Sequence, residues 1–191
     1  MSKVLVFNGW AARPEAWSKC QFAARAKIVD YKEDFDEGGY DVVVGWSMGG
    51  AKAIEYAGRH LGDVKAMVLI APAVCMMAKE GWKGQTPRRI EALRKGLEVM
   101  GANEWFNKDD SEEELERGLD YLRSTDVRNI NLQVKCICVH SRKDCVVYLN
   151  NSEWVRDCWG AKLTVVEGTE HALPVSEPEL IDRIVYEAID E

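Results

Sequence analysis

The stretch at 40–50, Tyr-Asp-Val-Val-Val-Gly-Trp-Ser-Met-Gly-Gly, constrains this chain more than any other. Its β-branched run at 42–44 suits a strand buried on both faces, as in a parallel sheet covered by helices. The run drives directly into Gly45-x-Ser47-x-Gly49, and residues 51–56 beyond it read as a helix. A serine on so sharp a strand-to-helix turn is held in strained backbone, with its Oγ standing above the sheet. Gly45 and Gly49 flank the turn because a Cβ at either would collide with neighbouring backbone, and Gly50 lets helix and strand pack closely. The helix N-terminus behind Ser47 adds orphan N–H groups and a positive dipole end, which favour an oxyanion. The stretch thus points both to an α/β layer arrangement and to a candidate nucleophile.

The rest of the chain alternates in the same way. Short apolar runs predict strands at 3–7, 26–31, 64–71, 134–140 and 163–167, besides the one ending at Ser47. Helical spacing follows Pro14, runs from Ser47 to about His60, and returns at 151–158 and 178–188, where Leu180, Ile184 and Ile189 mark the inner side. Residues 72–126 interrupt the alternation and hold no convincing strand. Thr86-Pro87 starts a helix carrying Ile90, Leu93, Leu97 and Met100, which Gly101 ends. Ser111 with Glu114 forms a capping-box pattern ahead of Leu115, Leu119 and Leu122. The expected architecture is α/β: a single domain over 1–191, a six-stranded, mainly parallel sheet with helices on both faces, and a short helical cap inserted at 72–126.

Bulk properties narrow the partners. A chain of 191 residues fills one core. A net charge of −7 argues against nucleic acid as a partner. No apolar run approaches the ~20 residues that span a bilayer. Met1-Ser2-Lys3-Val4 leads into a strand without the apolar stretch of a signal peptide, so a cytoplasmic protein is expected. The six cysteines include no C-x-x-C pair and sit beside no histidine cluster. They read as small buried hydrophobes, Cys136 and Cys138 on one side of a strand, and no metal or cofactor is expected.

A serine nucleophile needs a base, and the base an orienting carboxylate. Reacting groups on a doubly wound sheet collect at the carboxyl ends of its strands. His60 lies at the far end of the helix that begins behind Ser47, and His140 lies inside an apolar run. His171, in a loop just past the last strand, is the expected base, and Asp144, past the strand that ends at His140, the expected acid. For the oxyanion the backbone N–H of Met48 is in place, and the loop after the first strand offers that of Trp10. Trp10, Trp46, Trp82 and Trp105 are candidates to line an apolar acyl pocket, Trp46 being equally suited to the core.

The order Ser47, Asp144, His171 is that of the α/β-hydrolases, and the chain resembles them. Within them it resembles the pimeloyl-[acyl-carrier-protein] methyl ester esterases of biotin synthesis. The blocks that carry this are Asn8-Gly9-Trp10 through Trp17, Gly45 to Gly50, 82–87, 118–128, Glu170-His171-Ala172 and Pro178-Glu179. The segments 82–87 and 118–128 point to the subfamily; the elbow and the histidine loop are shared more widely. Asn8 departs from the family's usual histidine, and no proline follows Asp144 in 145–148. The resemblance implies hydrolysis of a methyl ester on a pimeloyl chain held by acyl-carrier protein. An acidic carrier needs a basic patch, and the first cap helix offers Arg88, Arg89, Arg94 and Lys95. Glu91 with Lys95 and Arg94 with Glu98 stand at i,i+4, which leaves Arg88 and Arg89 as the candidates for substrate or carrier contact. A thioesterase using the same three residues is the alternative; a non-catalytic binding module is disfavoured because all three are retained.

Overall fold

The valine-rich runs form the middle of the sheet. β1 (Val4–Phe7), β3 (Val42–Trp46) and β4 (Ala66–Ile70) are buried at every position, as strands covered on both faces must be. In the computed structural model, which describes residues 2–100, 105–107, 109–168 and 170–190, they are flanked by β2 (Lys27–Val29), β5 (Lys135–Ser141) and β6 (Lys162–Val166). The order is β2-β1-β3-β4-β5-β6. All five pairings are parallel, so the sheet expected to be mainly parallel is wholly so.

Strand alternation sends side chains to two cores. Leu5, Val43, Met67, Leu69 and Cys138 face α1 (Met48–Arg59) and α4 (Asn150–Trp159). Val6, Val44, Val68 and Val139 face α6 (Pro178–Asp190), together with Trp17 and Phe22. Helices therefore cover both faces. The chain winds outward from β1 to β2 and then returns past β1 to β3, so the winding reverses between β1 and β3. The carboxyl ends of those strands leave a crevice there, and Ser47 follows β3 directly.

Some local expectations shift. The residues around Pro14 form a 3-10 turn, Pro14–Trp17, and a short α5 (Leu173–Ser176) follows the histidine loop. On α6 the inner stripe is Ile181, Ile184, Val185 and Ala188, with Leu180 and Ile189 partly buried beside it. Cys20, Cys75, Cys136 and Cys138 are buried, but Cys145 and Cys158 are exposed, contrary to the reading of all six as core residues. Among the described residues no helix is long and apolar enough to cross a membrane.

Within 72–126 the described residues form isolated bridges but no strand, and two helices, α2 (Pro87–Met100) and α3 (Glu112–Ser124). The Ser111 hydroxyl accepts the Glu114 N–H, and the Glu114 carboxylate reaches back to the Ser111 N–H, closing the capping box. Ile90 of α2 joins Leu119 and Leu122 of α3 in a third apolar cluster with Tyr31, Met48, Ala73, Met76 and Val147. Ile90 of α2 and Leu119 and Leu122 of α3 thus pack beside Met48, the residue that follows Ser47. The side chains of Arg94, Lys95, Leu97, Glu98 and Met100 lie outside the described residues, as does Gly101.

Candidate active site

Ser47 adopts φ 56°, ψ −120°, in a region that L-residues rarely enter. Such strain persists only where the surroundings over-determine it, and here they do. The Ser47 N–H donates to Ile70 O, and its carbonyl accepts from Gly50 and Ala73, each at 2.9 Å. A Cβ on Gly49 would stand 2.1 Å from Phe7 O, and one on Gly45 would stand 2.5 Å from Gly49 O. Only glycine allows β1, β3 and the start of α1 to approach this closely.

Two loops bring the partners. Asp144 follows β5, and its Oδ1 accepts the N–H groups of Val146 and Val147 at 2.8 and 3.1 Å. Its Oδ2 accepts Nδ1–H of His171 at 2.6 Å, and Nε2 of His171 lies 2.9 Å from Ser47 Oγ. With the Nδ1 hydrogen committed to the carboxylate, Nε2 is left to accept from the serine hydroxyl. Burial alone would raise the Asp144 carboxyl, but the facing His171 and His140 outweigh it and hold the group well below the usual carboxylate range. The histidine loop is itself tied down. Trp46 Nε1 donates to His171 O at 3.0 Å, and Ser141 Oγ to Glu170 O at 2.5 Å. Thr169 lies outside the described residues.

His60 is engaged elsewhere, and His140 stands beside Asp144, its Nε2 3.5 Å from Oδ2. His60 caps the far end of α1, about 20 Å along the helix from its start, where it stacks on Tyr56 and meets Asp36. His140 is fully buried, with Nδ1 at 2.8 Å from Ser152 Oγ and Nε2 at 2.9 Å from Val147 O.

Asn8, where a histidine is usual in the resembled family, holds the loop after β1. Its Oδ1 accepts from Gly9 N and Trp17 Nε1, each at 3.1 Å, and its Nδ2 donates to Ala12 O at 2.8 Å. That amide fixes the path on which the backbone of Trp10 runs. Met48 is the first residue of α1, so its N–H belongs to the orphan donors of the helix start. The Trp10 indole turns toward α3 and donates to Leu115 O at 3.0 Å.

The remaining candidates divide. Trp46 is 2% exposed and wedged against Trp17, Trp105 and His171. It buttresses the histidine loop and the core, which fits the core role the sequence left equally open for it. Trp105 packs edge-on against it with ring centroids 5.8 Å apart. Trp82 donates to Cys75 O and lies under the Arg128 guanidinium, which occupies one of its faces. Arg88 and Arg89 are exposed, and Arg89 donates to the Tyr148 hydroxyl at 2.8 Å. Sequence reasoning missed Gln85 and Tyr148. Both meet partners some 60 residues distant, and no local pattern encodes such a contact. Among the described residues no group of three or more His, Cys, Asp and Glu is placed to hold a metal ion.

Comparisons with known proteins bear on the fold and the family. Over 76 residues, 40% of its length, the chain is 34% identical to the pimeloyl-[acyl-carrier protein] methyl ester esterase of Salmonella newport (strain SL254). The match spans only 26% of that relative. Among solved structures the esterase EaEST from Exiguobacterium antarcticum superposes with a TM-score of 0.81 at 18% identity, covering 100% of this chain and 94% of that one. The hydrolase olei00960 from Oleispira antarctica gives 0.72 at 14%, covering 100% and 92%; at such identities the likeness is one of fold. Residues 9–183 match the family described as the alpha/beta hydrolase family. With its wholly parallel sheet, its strained elbow and that match over most of its length, the chain belongs to the alpha/beta hydrolase family.

Proposed function

We propose that the protein is a serine carboxylesterase working through an acyl-enzyme. The observation that carries this reading is the hydrogen-bonded chain from Ser47 Oγ through His171 to Asp144, mounted on the elbow. In this scheme His171 Nε2 takes the hydroxyl proton as Ser47 Oγ attacks the ester carbonyl carbon. The N–H groups of Met48 and Trp10 receive the oxyanion, and each such donor contributes about 10²–10³ in turnover. His171 returns the proton to the departing alcohol. Water, activated by the same imidazole, then releases the acid and frees Ser47.

The finer reading is a methyl ester on a pimeloyl chain carried by acyl-carrier protein. It is supported by the 34% identity over 76 residues to an esterase of that description. The segment 72–126 is the cap in this scheme, supported by the packing of Ile90, Leu119 and Leu122 around Met48. Arg88 and Arg89, exposed at the start of α2, are the proposed contacts for an acidic carrier, in a cytoplasmic setting. A fluorophosphonate should label the protein once, with Ser47→Ala abolishing the label; labelling that survives refutes the nucleophile. Methyl pimeloyl-carrier protein and the matching thioester, assayed side by side, separate the esterase from a thioesterase using the same residues.

A further inference from the structure

Asp144 sits on a loop rather than on a rigid element, and its carboxylate stays in line with His171 only if that loop is held. The Val146 and Val147 N–H groups curl the chain around Oδ1. The carbonyls of the curl are then taken by two side chains from outside it. Gln85 Nε2 donates to Cys145 O at 2.7 Å and to Val146 O at 2.8 Å. His140 Nε2 donates to Val147 O at 2.9 Å.

Gln85 comes from the segment that leads into α2 and is 2% exposed. Its own backbone is pinned, its N–H to Met76 O at 2.7 Å and its carbonyl to Ala78 N at 3.0 Å. The amide can face only one way, because the two carbonyls can accept but not donate. Its Oε1 is buried and meets no hydrogen-bond partner among the described residues. A buried acceptor without a partner costs stability and offsets part of what the two donated bonds contribute, and both of those bonds go to the acid loop. The amide is thus a two-pronged donor aimed at the acid loop.

We infer that Gln85 is a positioning residue for Asp144, through which the helical insertion holds the acid in register with His171. This rests on the proposed reading of Ser47, His171 and Asp144. Gln85 touches no reacting atom and acts through the Cys145 and Val146 carbonyls. Because α2 begins two residues later, at Pro87, the clamp also ties the acid to the helix that bears Arg88 and Arg89.

The test uses the full chain with p-nitrophenyl acetate, a small neutral ester with no call on the carrier surface. Gln85→Met keeps the length of the side chain and removes both donors. Its kcat should fall about 10²-fold, the cost of a displacement near 1 Å at a reacting group, with KM within about twofold of wild type. The downfield imidazole proton resonance of the His171–Asp144 bond should broaden or vanish. Gln85→Glu offers one O–H donor when protonated and none when ionised. Its kcat, divided by that of wild type at the same pH, should therefore rise as pH falls, and this variant decides the matter if the methionine variant does not fold. An unchanged kcat in Gln85→Met, or a Glu-to-wild-type ratio independent of pH with the downfield resonance intact, overturns the inference. Wild-type protein without Ser47-dependent turnover would instead sink the reading of the site.

Discussion

The change Asp144→Asn exchanges one carboxylate oxygen for an NH2 group and hardly alters volume, and the structure decides how the new amide turns. Two backbone N–H groups, from Val146 and Val147, point at Oδ1. They can be met only by the amide oxygen, so Nδ2 takes the place of Oδ2. There it faces His171 Nδ1 at the position where a 2.6 Å bond was donated to the carboxylate. Two donors cannot face each other, so the imidazole hydrogen moves to Nε2. Nε2 then points a hydrogen at Ser47 Oγ, 2.9 Å away, and can no longer take the serine proton. On the proposed mechanism kcat should fall about 10⁴-fold, which is ~5 kcal/mol of barrier. Fluorophosphonate labelling of Ser47 should slow in parallel while p-nitrophenyl acetate still binds. Stability carries a second signature. The folded Asp144 carboxyl lies below its ordinary value, so its ionised form contributes stability that is fully present above the unfolded value of about 3.9. That contribution is lost as pH falls through the folded value. Chemical denaturation should therefore show the advantage of wild type over the asparagine variant shrinking below about pH 4. A loss of turnover below about tenfold, with labelling at the wild-type rate, would refute the orienting role.

Other perturbations test neighbouring joints. A Cβ on Gly118 would stand 2.4 Å from Trp10 Cδ1 and 2.7 Å from its Nε1. Gly118→Ala should therefore displace the indole from Leu115 O and lower kcat by about 10²-fold through the shifted Trp10 N–H; steady-state kinetics with KM and kcat resolved will show it. Gly49→Ala drives a methyl group to 2.1 Å from Phe7 O and should destabilise the fold by about 3 kcal/mol or more, read by urea denaturation. Arg88→Glu with Arg89→Glu should raise KM for a carrier-linked ester and spare p-nitrophenyl acetate; equal loss on both would assign the arginines to the cap's own packing. Ser111→Ala should cost about 1 kcal/mol through the lost cap of α3, measured by thermal unfolding.

How much could be read from the sequence follows the range of each interaction. The elbow was legible because its cause is local: a buried strand, a forced turn and a helix start all fall within 42–56. The capping box at Ser111 and the stripe at Leu119 and Leu122 were legible for the same reason. The places of Asp144 and His171 were legible at one remove, since a parallel sheet puts every strand's carboxyl end on one edge. What escaped was set by tertiary contact. Whether Trp46 lines a cavity or backs a histidine loop depends on Trp17, Trp105 and His171 arriving from three other segments. The apolar environment of Cys136 and Cys138 followed from strand alternation, whereas nothing local marks Cys145 and Cys158 as exposed. Asn8 read as a departure from the histidine usual there. Only its contacts to Gly9, Ala12 and Trp17 show that it braces the loop itself.

Among the described contacts between residues 72–126 and the site, two stand at the loops that carry Trp10 and Asp144. Through Leu115 and Gly118, α3 holds the indole of Trp10, whose backbone N–H is the proposed second oxyanion donor. Through Gln85, the approach to α2 holds the loop of Asp144. A cap joined only by apolar packing could change its lining freely as substrates change, because apolar side chains of similar volume replace one another at small cost. A segment tied by directed hydrogen bonds to both the Asp144 loop and the loop that carries Trp10 cannot. Substitutions that retune the acyl chain should therefore be tolerated at apolar positions such as Ile90 and Leu93. The same volume changes at Gln85 or Gly118 should cost turnover on every ester, large or small. Screening a saturation library of 85, 90, 93 and 118 against esters of increasing chain length would separate the two groups. Chain-length selectivity arising at 85 or 118 with undiminished kcat would show that these joints belong to the pocket and not to the catalytic frame.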